Sequence, residues 1–267
     1  MIKVGANTVL FGKHDFRTAM RHLKWAGFDA AEISALGNMA NHLPLADWKD
    51  HANEIREIVE EIELPLTAME VGRSDEGQLM RAYEAGAEIG VPVVNVTPGG
   101  FKIDDPEEMS RLIAHLNNMA SKAEPFGVTL CMKAHVNTAM WNTPTTLEVM
   151  KGVTSPAFGI DMDPSHIRRS GEVPKEALKQ VVSGVKHVHI RDMLGPGPRP
   201  GAPEEQAPGR GDVDLMGYCK VLVDSGYDGP VNLEVIGARD YDLTRQAMIA
   251  SETYGYLNAC LKVCGGR

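Results

Sequence analysis

The chain has 267 residues, 43% hydrophobic and 24% charged, the composition of an ordinary globular protein long enough for one sizeable core. Its formal net charge is −9 and its 27 Lys and Arg residues are scattered, so no basic stripe offers a footprint for nucleic-acid phosphates. Residues 1–16 turn charged too early for a signal peptide, no apolar run is of membrane length, and the four cysteines show no C-x-x-C spacing; a reduced, cytoplasmic protein is expected.

Short apolar runs and helical patterns alternate along the chain. IKVGANTVLF (2–11) and DAAEISAL (29–36) come first. The stretch 47–62, DWKDHANEIREIVEEI, then puts Trp48, Ala52, Ile55, Val59 and Ile62 on one helical face. LPLTAMEV (64–71) and VPVVNVTP (91–98) follow. In 104–123 Asp105 is placed to cap, Pro106 opens the first turn, and Met109, Leu112, Ile113, Leu116 and Met119 share a face. The last four runs are VTLCMKAHV (128–136), FGIDMDPSH (158–166), VKHVHIRDM (185–193) and PVNLEVIG (230–237).

Eight runs with a helix after each, at roughly thirty residues per unit, predict a parallel sheet closed into a (β/α)8 TIM barrel. An open doubly wound sheet is disfavoured because no Gly-rich dinucleotide fingerprint follows the first run. A single domain over 1–267 is expected. The Gly/Pro-rich stretch 194–211 follows the seventh run, where such a barrel keeps active-site loops, and reads as a lid or substrate loop.

Helices cover the outside of a barrel, so the apolar face of each strand belongs outward and its polar face points into the lumen. Alternation then sends Cys131, Lys133 and His135 inward from the fifth run, and Asp161 and Asp163 from the sixth. It does the same for His187, His189 and Arg191 in the seventh and Glu234 in the eighth. One inward His or Asp is usually a hydrogen-bonded core group. Four consecutive strands aiming ionisable groups at one interior are costly without water, metal or substrate, and point to a functional site. Asp163, His189 and Glu234 form a mixed oxygen and nitrogen set suited to one divalent metal such as Mn, Mg, Co, Fe or Zn. His166 and His187 lie close enough for substrate or supporting roles.

GIDMDPSH, VKHVHIRD, PGRGDVD and VNLEV, in this order and spacing, resemble the xylose isomerase-like sugar isomerase/epimerase superfamily of TIM barrels. The likeness covers nearly the whole chain, including GFDAAEIS after the first helix. It implies a divalent metal held by a Glu on the fifth strand, an Asp on the sixth, a His on the seventh and a Glu on the eighth. The last three fall on Asp163, His189 and Glu234, and His166 matches a substrate-contacting His. The fifth-strand pattern E-x-H reads Lys133-Ala134-His135 here, so the first ligand has become a lysine.

A charged Lys133 some 6 Å from a divalent ion would meet repulsion of roughly 5 kcal/mol at an effective dielectric near 20. Three outcomes follow: a neutral Lys133 that carries protons or ligates, a Lys133 swung away to a carboxylate such as Glu32 or Glu70 that leaves a three-ligand metal site, or an ammonium that replaces the metal by pairing with Asp163 and Glu234. The resemblance implies a sugar isomerase or epimerase that abstracts a proton next to a carbonyl, with Glu234 as base and Lys133, His166 or His187 as partner. A lyase acting on 3-keto-glycosides, as in the catalytic subunits of C-glycoside-deglycosylating complexes that work with a second subunit, is the alternative. A non-catalytic sugar-binding or partner barrel is the third reading. Endonuclease IV-like repair would need a richer ligand set. The expected partner is a small sugar or sugar derivative, contacted by His135, His187, Glu32, Trp141 and Arg210, with Arg191 and Arg239 at the last strand ends; relatives of this kind commonly form homo-oligomers.

Overall fold

The computed structural model describes residues 1–267. Eight parallel strands close into a barrel in chain order, β8 pairing back to β1. They are β1 (Lys3–Asn7), β2 (Ala30–Ser34), β3 (Leu66–Arg73), β4 (Val93–Thr97), β5 (Thr129–Lys133), β6 (Phe158–Met162), β7 (Val185–Ile190) and β8 (Pro230–Leu233). Helices α1 (Phe16–Ala26), α2 (Trp48–Ile62), α3 (Glu76–Ile89), α4 (Pro106–Ala123) and α5 (Thr143–Gly152) follow the first five strands. After β6 come α6 (Pro164–Arg169) and α7 (Pro174–Val181), then α8 (Leu215–Asp224) after β7 and α9 (Leu243–Val263) after β8. No helix is long and apolar enough to cross a membrane.

Local chemistry sets these boundaries. The Asp105 side chain accepts from the backbone N–H of Glu107 and Glu108 ahead of α4, satisfying donors that have no partner inside the helix. In α2 the buried positions are Ala52, Ile55, Ile58 and Ile62; Val59 is only half-buried, so the apolar face is rotated slightly from the expected one. The β6–β7 connection holds two helices where one was expected. Asp163 accepts from the Ser165 N–H and Pro164 occupies the first turn, so the DPSH stretch starts its own short helix at the barrel mouth.

The outward faces of the strands, among them Val4, Ile33, Met69, Val94, Met132, Ile160, Val188 and Leu233, pack with the helices into one cluster of 70 buried residues. Inside the barrel, Ala68, Val93 and Cys131 form a small apolar patch toward the N-terminal strand ends. Above it the lumen is polar. Gly5 makes room there: a Cβ at this position would lie 2.0 Å from the Asn232 Oδ1. All four cysteines are free thiols.

Candidate active site

Lys133, the last residue of β5, projects into the lumen and is 2% exposed. Its Nζ donates to Glu70 Oε1 of β3 at 3.2 Å and to Glu234 Oε2, just past β8, at 3.0 Å. The lysine thus reaches Glu70, a carboxylate named for the second anticipated fate, and Glu234, one named for the third. It meets neither Glu32 nor Asp163. It is not neutral. Burial alone would favour the free amine, but Glu234, Glu70, Asp161 and Asp163 outweigh it and raise the lysine above its ordinary range.

The two carboxylates beside it differ. Burial, reinforced by Glu234, pushes Glu70 up to about 7 despite Lys133. Burial also acts to raise Glu234, yet Arg191, Lys133 and His189 together hold it well below the usual carboxylate range. Asn7 donates to Glu70 Oε2 at 2.6 Å and fixes that carboxyl from β1. One side of the ammonium therefore carries a carboxyl able to hold a proton near neutrality, and the other a carboxylate able to take one.

Asp163 is taken by Arg191, whose Nη2 stands 2.8 Å from Asp163 Oδ2. The same nitrogen donates to His166 Nε2 at 2.9 Å, and Arg191 Nε donates to Ser165 Oγ at 2.7 Å. His166 accepts at Nε2, so its own proton is on Nδ1. Burial, then the charges of Arg191 and Lys133, hold it neutral, well below its ordinary value. His166 Nδ1 and Arg191 Nη1 are buried without a protein partner and keep hydrogen-bonding capacity at the mouth. His135 packs its ring on His166, centroids 4.4 Å apart, and burial lowers its pKa.

A second layer lies deeper. Asp161 accepts from His187 Nδ1 at 2.9 Å and from the His189 backbone N–H at 3.0 Å, and its Oδ2 stands 2.9 Å from His189 Nδ1. On the far side His189 Nε2 meets Glu32 Oε2 at 2.5 Å. Burial opposes a charged imidazole, but Asp161 and Glu32 outweigh it and raise His189 well above its ordinary value. His187 uses its second nitrogen to accept from Asn232 Nδ2 at 2.8 Å, and Asn95 donates to Glu32 Oε1 at 2.6 Å. Glu32, His187 and His189 are fully buried, so they support the site from below.

Of the anticipated site residues, Lys133, His135, Asp163, His166, His187, His189, Glu234 and Glu32 converge in these two layers. Arg210 does not. It lies at the surface and forks onto Glu252 of α9 through Nε and Nη2 at 2.6 and 2.7 Å. Trp141 is half-buried ahead of α5, its backbone N–H donating to Thr145 Oγ1. Arg239 bonds the Asn38 carbonyl and, with Arg199, Val9 and Ile236, lines a cavity of about 480 Å³ over the β1 and β8 ends. The stretch 194–211 is fastened across these ends. Asp192 accepts from the Gly209 and Val213 N–H groups, while Gln206 accepts from the Asp192 and Ile236 N–H groups and donates to the Ile236 carbonyl. Sequence reasoning gave Asn7, Asn95 and Asn232 no role, although each is an inward polar position on its strand.

The profile of the xylose isomerase-like TIM barrel family matches residues 20–259. The chain belongs to that family. An inosose dehydratase from Clostridium perfringens is 30% identical over 149 residues, 51% of this chain and 50% of its own, so the match spans about half the length of that curated relative. The crystal structure of D-psicose 3-epimerase with D-tagatose from Clostridium cellulolyticum H10 superposes over 97% of this chain and 99% of its own, with a TM-score of 0.81 and 17% identity. The IOLI protein with a binding zinc atom superposes with a TM-score of 0.80 at 19% identity, over 97% and 99% of the two chains; at these identities the likeness is one of fold.

Two groups have donor atoms spaced closely enough to hold a metal ion, Glu70 with His189 and Glu234, and Glu32 with His187 and His189. In the first, the Lys133 ammonium stands between the two carboxylates, where a divalent cation would meet its charge at close range. In the second, each imidazole nitrogen faces a carboxylate or an amide. Asp163, the other expected ligand, faces a guanidinium and the α6 N-terminus. The residues present do not fit a divalent ion at the barrel mouth.

Proposed function

We propose that this family member is a lyase that removes water from a β-hydroxyketone of a sugar or cyclitol, starting with proton abstraction next to the carbonyl. The observation that carries this reading is the Lys133 ammonium bonded to Glu70 on one side and Glu234 on the other, with Arg191 standing 3.5 Å from Glu234 as a second cation. Glu234, kept ionised, takes the proton from the carbon beside the carbonyl, and the electron pair of that C–H bond becomes the enolate. Collapse of the enolate breaks the β-carbon–oxygen bond, and Glu70 delivers its proton to the departing hydroxyl, which leaves as water. Base and acid contributions of this kind are each worth about 10²–10⁴ in rate. Glu234 ends protonated and Glu70 ionised; Lys133, bonded to both, provides a route for the return of the proton. The Nδ1–H of His166 and the spare Nη1 of Arg191 can hold the substrate's oxygens. Inosose dehydratases among the curated relatives support elimination as the outcome.

Epimerisation is the second reading. Glu70 and Glu234 reach the same ammonium from β3 and β8, an arrangement that also suits removal of a proton by one carboxylate and its return by the other. The deciding experiment incubates the protein in D2O with inososes, ketohexoses and 3-keto-glucosides. It follows deuterium at the carbon beside the carbonyl and the ultraviolet absorbance of an enone or dione. Elimination predicts both signals, lost together in Glu234→Gln, with absorbance alone lost in Glu70→Gln. Deuterated epimer without absorbance selects the second reading; no deuterium from any of the three classes refutes both.

A further inference from the structure

We propose that the Lys133 side chain is the permanent cation of this site, occupying the position in which a divalent ion would bridge Glu70, His189 and Glu234, so that enolate charge is stabilised by an ammonium instead of a metal. The inference rests on the enolising reading above for its catalytic half only; its binding half stands on geometry. Donor atoms of Glu70, His189 and Glu234 lie within 4.8 Å of one another, a spacing compatible with one small divalent ion. Lys133 Nζ stands 3.2 and 3.0 Å from two of those donors. It enters from β5 with its stem packed in the lumen and its side chain 3% exposed, so it has no solvent to retreat to if an ion arrives. The neighbouring carboxylate, Asp163, is already matched to Arg191. The charges that would recruit a metal are met by two organic cations built into the chain.

An ammonium also has the valence the reaction needs. Two of its three N–H groups serve Glu70 and Glu234, leaving one for the substrate carbonyl oxygen. There it stabilises charge as it develops, in a buried setting where such interactions gain strength. Lys133 is on this account a catalytic residue that touches the reacting oxygen, and no redox change or added reagent enters the step.

The geometry makes a reciprocal statement about one substitution. Lys133→Glu would remove the cation and place a third carboxylate beside Glu70 and Glu234, with His189 joining as a donor on releasing a proton to the solvent. The test uses the full chain, purified without metal resin or chelator, with elemental analysis and titration by Co(II) followed through its visible absorption. Wild type is expected to take up less than about a tenth of an equivalent, and its deuterium exchange to survive dialysis against a chelator; Lys133→Glu is expected to bind about one equivalent. Wild type carrying about one equivalent of a divalent metal, with exchange lost on its removal, overturns the proposal. So does a folded Lys133→Glu that takes up no Co(II). If that variant fails to fold, the wild-type measurement decides alone, with Lys133→Gln as the charge-removing control that should lose exchange without gaining tight metal binding. Should wild type exchange no substrate at all, the enolising reading fails, while the metal titrations still decide who occupies the cation position.

Discussion

Replacing Glu70 with glutamine should remove a loss of stability that wild type suffers as pH rises toward and through neutrality. Burial and the facing Glu234 push the Glu70 carboxyl up to about 7, against an ordinary value of 4.5. The folded chain thus binds this proton more tightly than the unfolded chain does. A group raised in this way contributes stability in full below its unfolded pKa and loses it as pH rises through the folded one. The window runs from about 4.5 to about 7, and at about 1.4 kcal/mol per tenfold change in proton affinity the loss reaches about 3 kcal/mol. Glutamine cannot ionise and so escapes this loss, while its NH2 replaces one of the two oxygens that accept from Asn7 and Lys133, a cost that does not vary with pH over this range. Urea unfolding of both proteins at a series of pH values measures the difference directly, because groups common to both cancel. The difference should move in favour of the variant by about 3 kcal/mol between about pH 4.5 and pH 8, with most of the change complete by pH 7. A difference that stays flat across that range, or moves toward wild type, would refute the placement of a strained carboxyl beside Lys133.

Arg191→Leu should cost about 3–5 kcal/mol in urea unfolding, because it strands the buried Asp163 without a counter-charge. Arg191→Lys should recover little of that, since an ammonium cannot serve Ser165, Asp163 and His166 through one planar fork. Nitrogen-15 NMR of the histidines should find His189 protonated at pH 8, since Asp161 and Glu32 outweigh burial and raise it; its stabilising contribution is present below the ordinary value of 6.5 and is lost only as pH climbs through the raised one. In Asp161→Asn that imidazole should lose its proton at lower pH, and an unchanged titration would count against the pairing. Gly5→Ala should lower stability by about 1–3 kcal/mol, because its Cβ would strike the Asn232 amide that holds His187; calorimetry showing an unaltered Tm would contradict this.

The barrel was legible because strand burial follows a period of two and helix burial a period near four, and both periods are printed in the residues themselves. The inward direction of Lys133, Asp161, His187 and Glu234 follows from the same alternation. What alternation leaves open is the choice of partner. Asp163 and Arg191 sit on neighbouring elements and both point inward, yet only the path of α6 puts Ser165 and His166 where one guanidinium can hold all three. Glu70 was one of four carboxylates named for Lys133; the fold brings it and Glu234 to the ammonium, while Glu32 is turned to His189 and Asp163 to Arg191. Arg210 reads as a substrate contact from its place in the Gly-rich loop; its partner, Glu252, lies 42 residues on, a separation at which local pattern says nothing. The extra helix after β6 is hidden for the opposite reason: Asp163 and Pro164 form a helix start, but the 6 residues of α6 are too few to show a periodic apolar face.

The lumen contacts run across the barrel axis as well as around the wall. Lys133 on β5 reaches β3 and the β8 end, Glu32 on β2 reaches β4 and β7, and Asn7 on β1 reaches β3. Each ion pair that joins the first four strands to the last four is satisfied only when the ring is shut. A half-barrel cut between β4 and β5 would leave Glu32 and Glu70 on one fragment and His189 and Lys133 on the other, each exposing a charge that folding had to desolvate. The centre of the molecule thus works as a closure lock: it penalises every incomplete ring, so unfolding should proceed as one concerted opening of the cylinder, with no stable half surviving it.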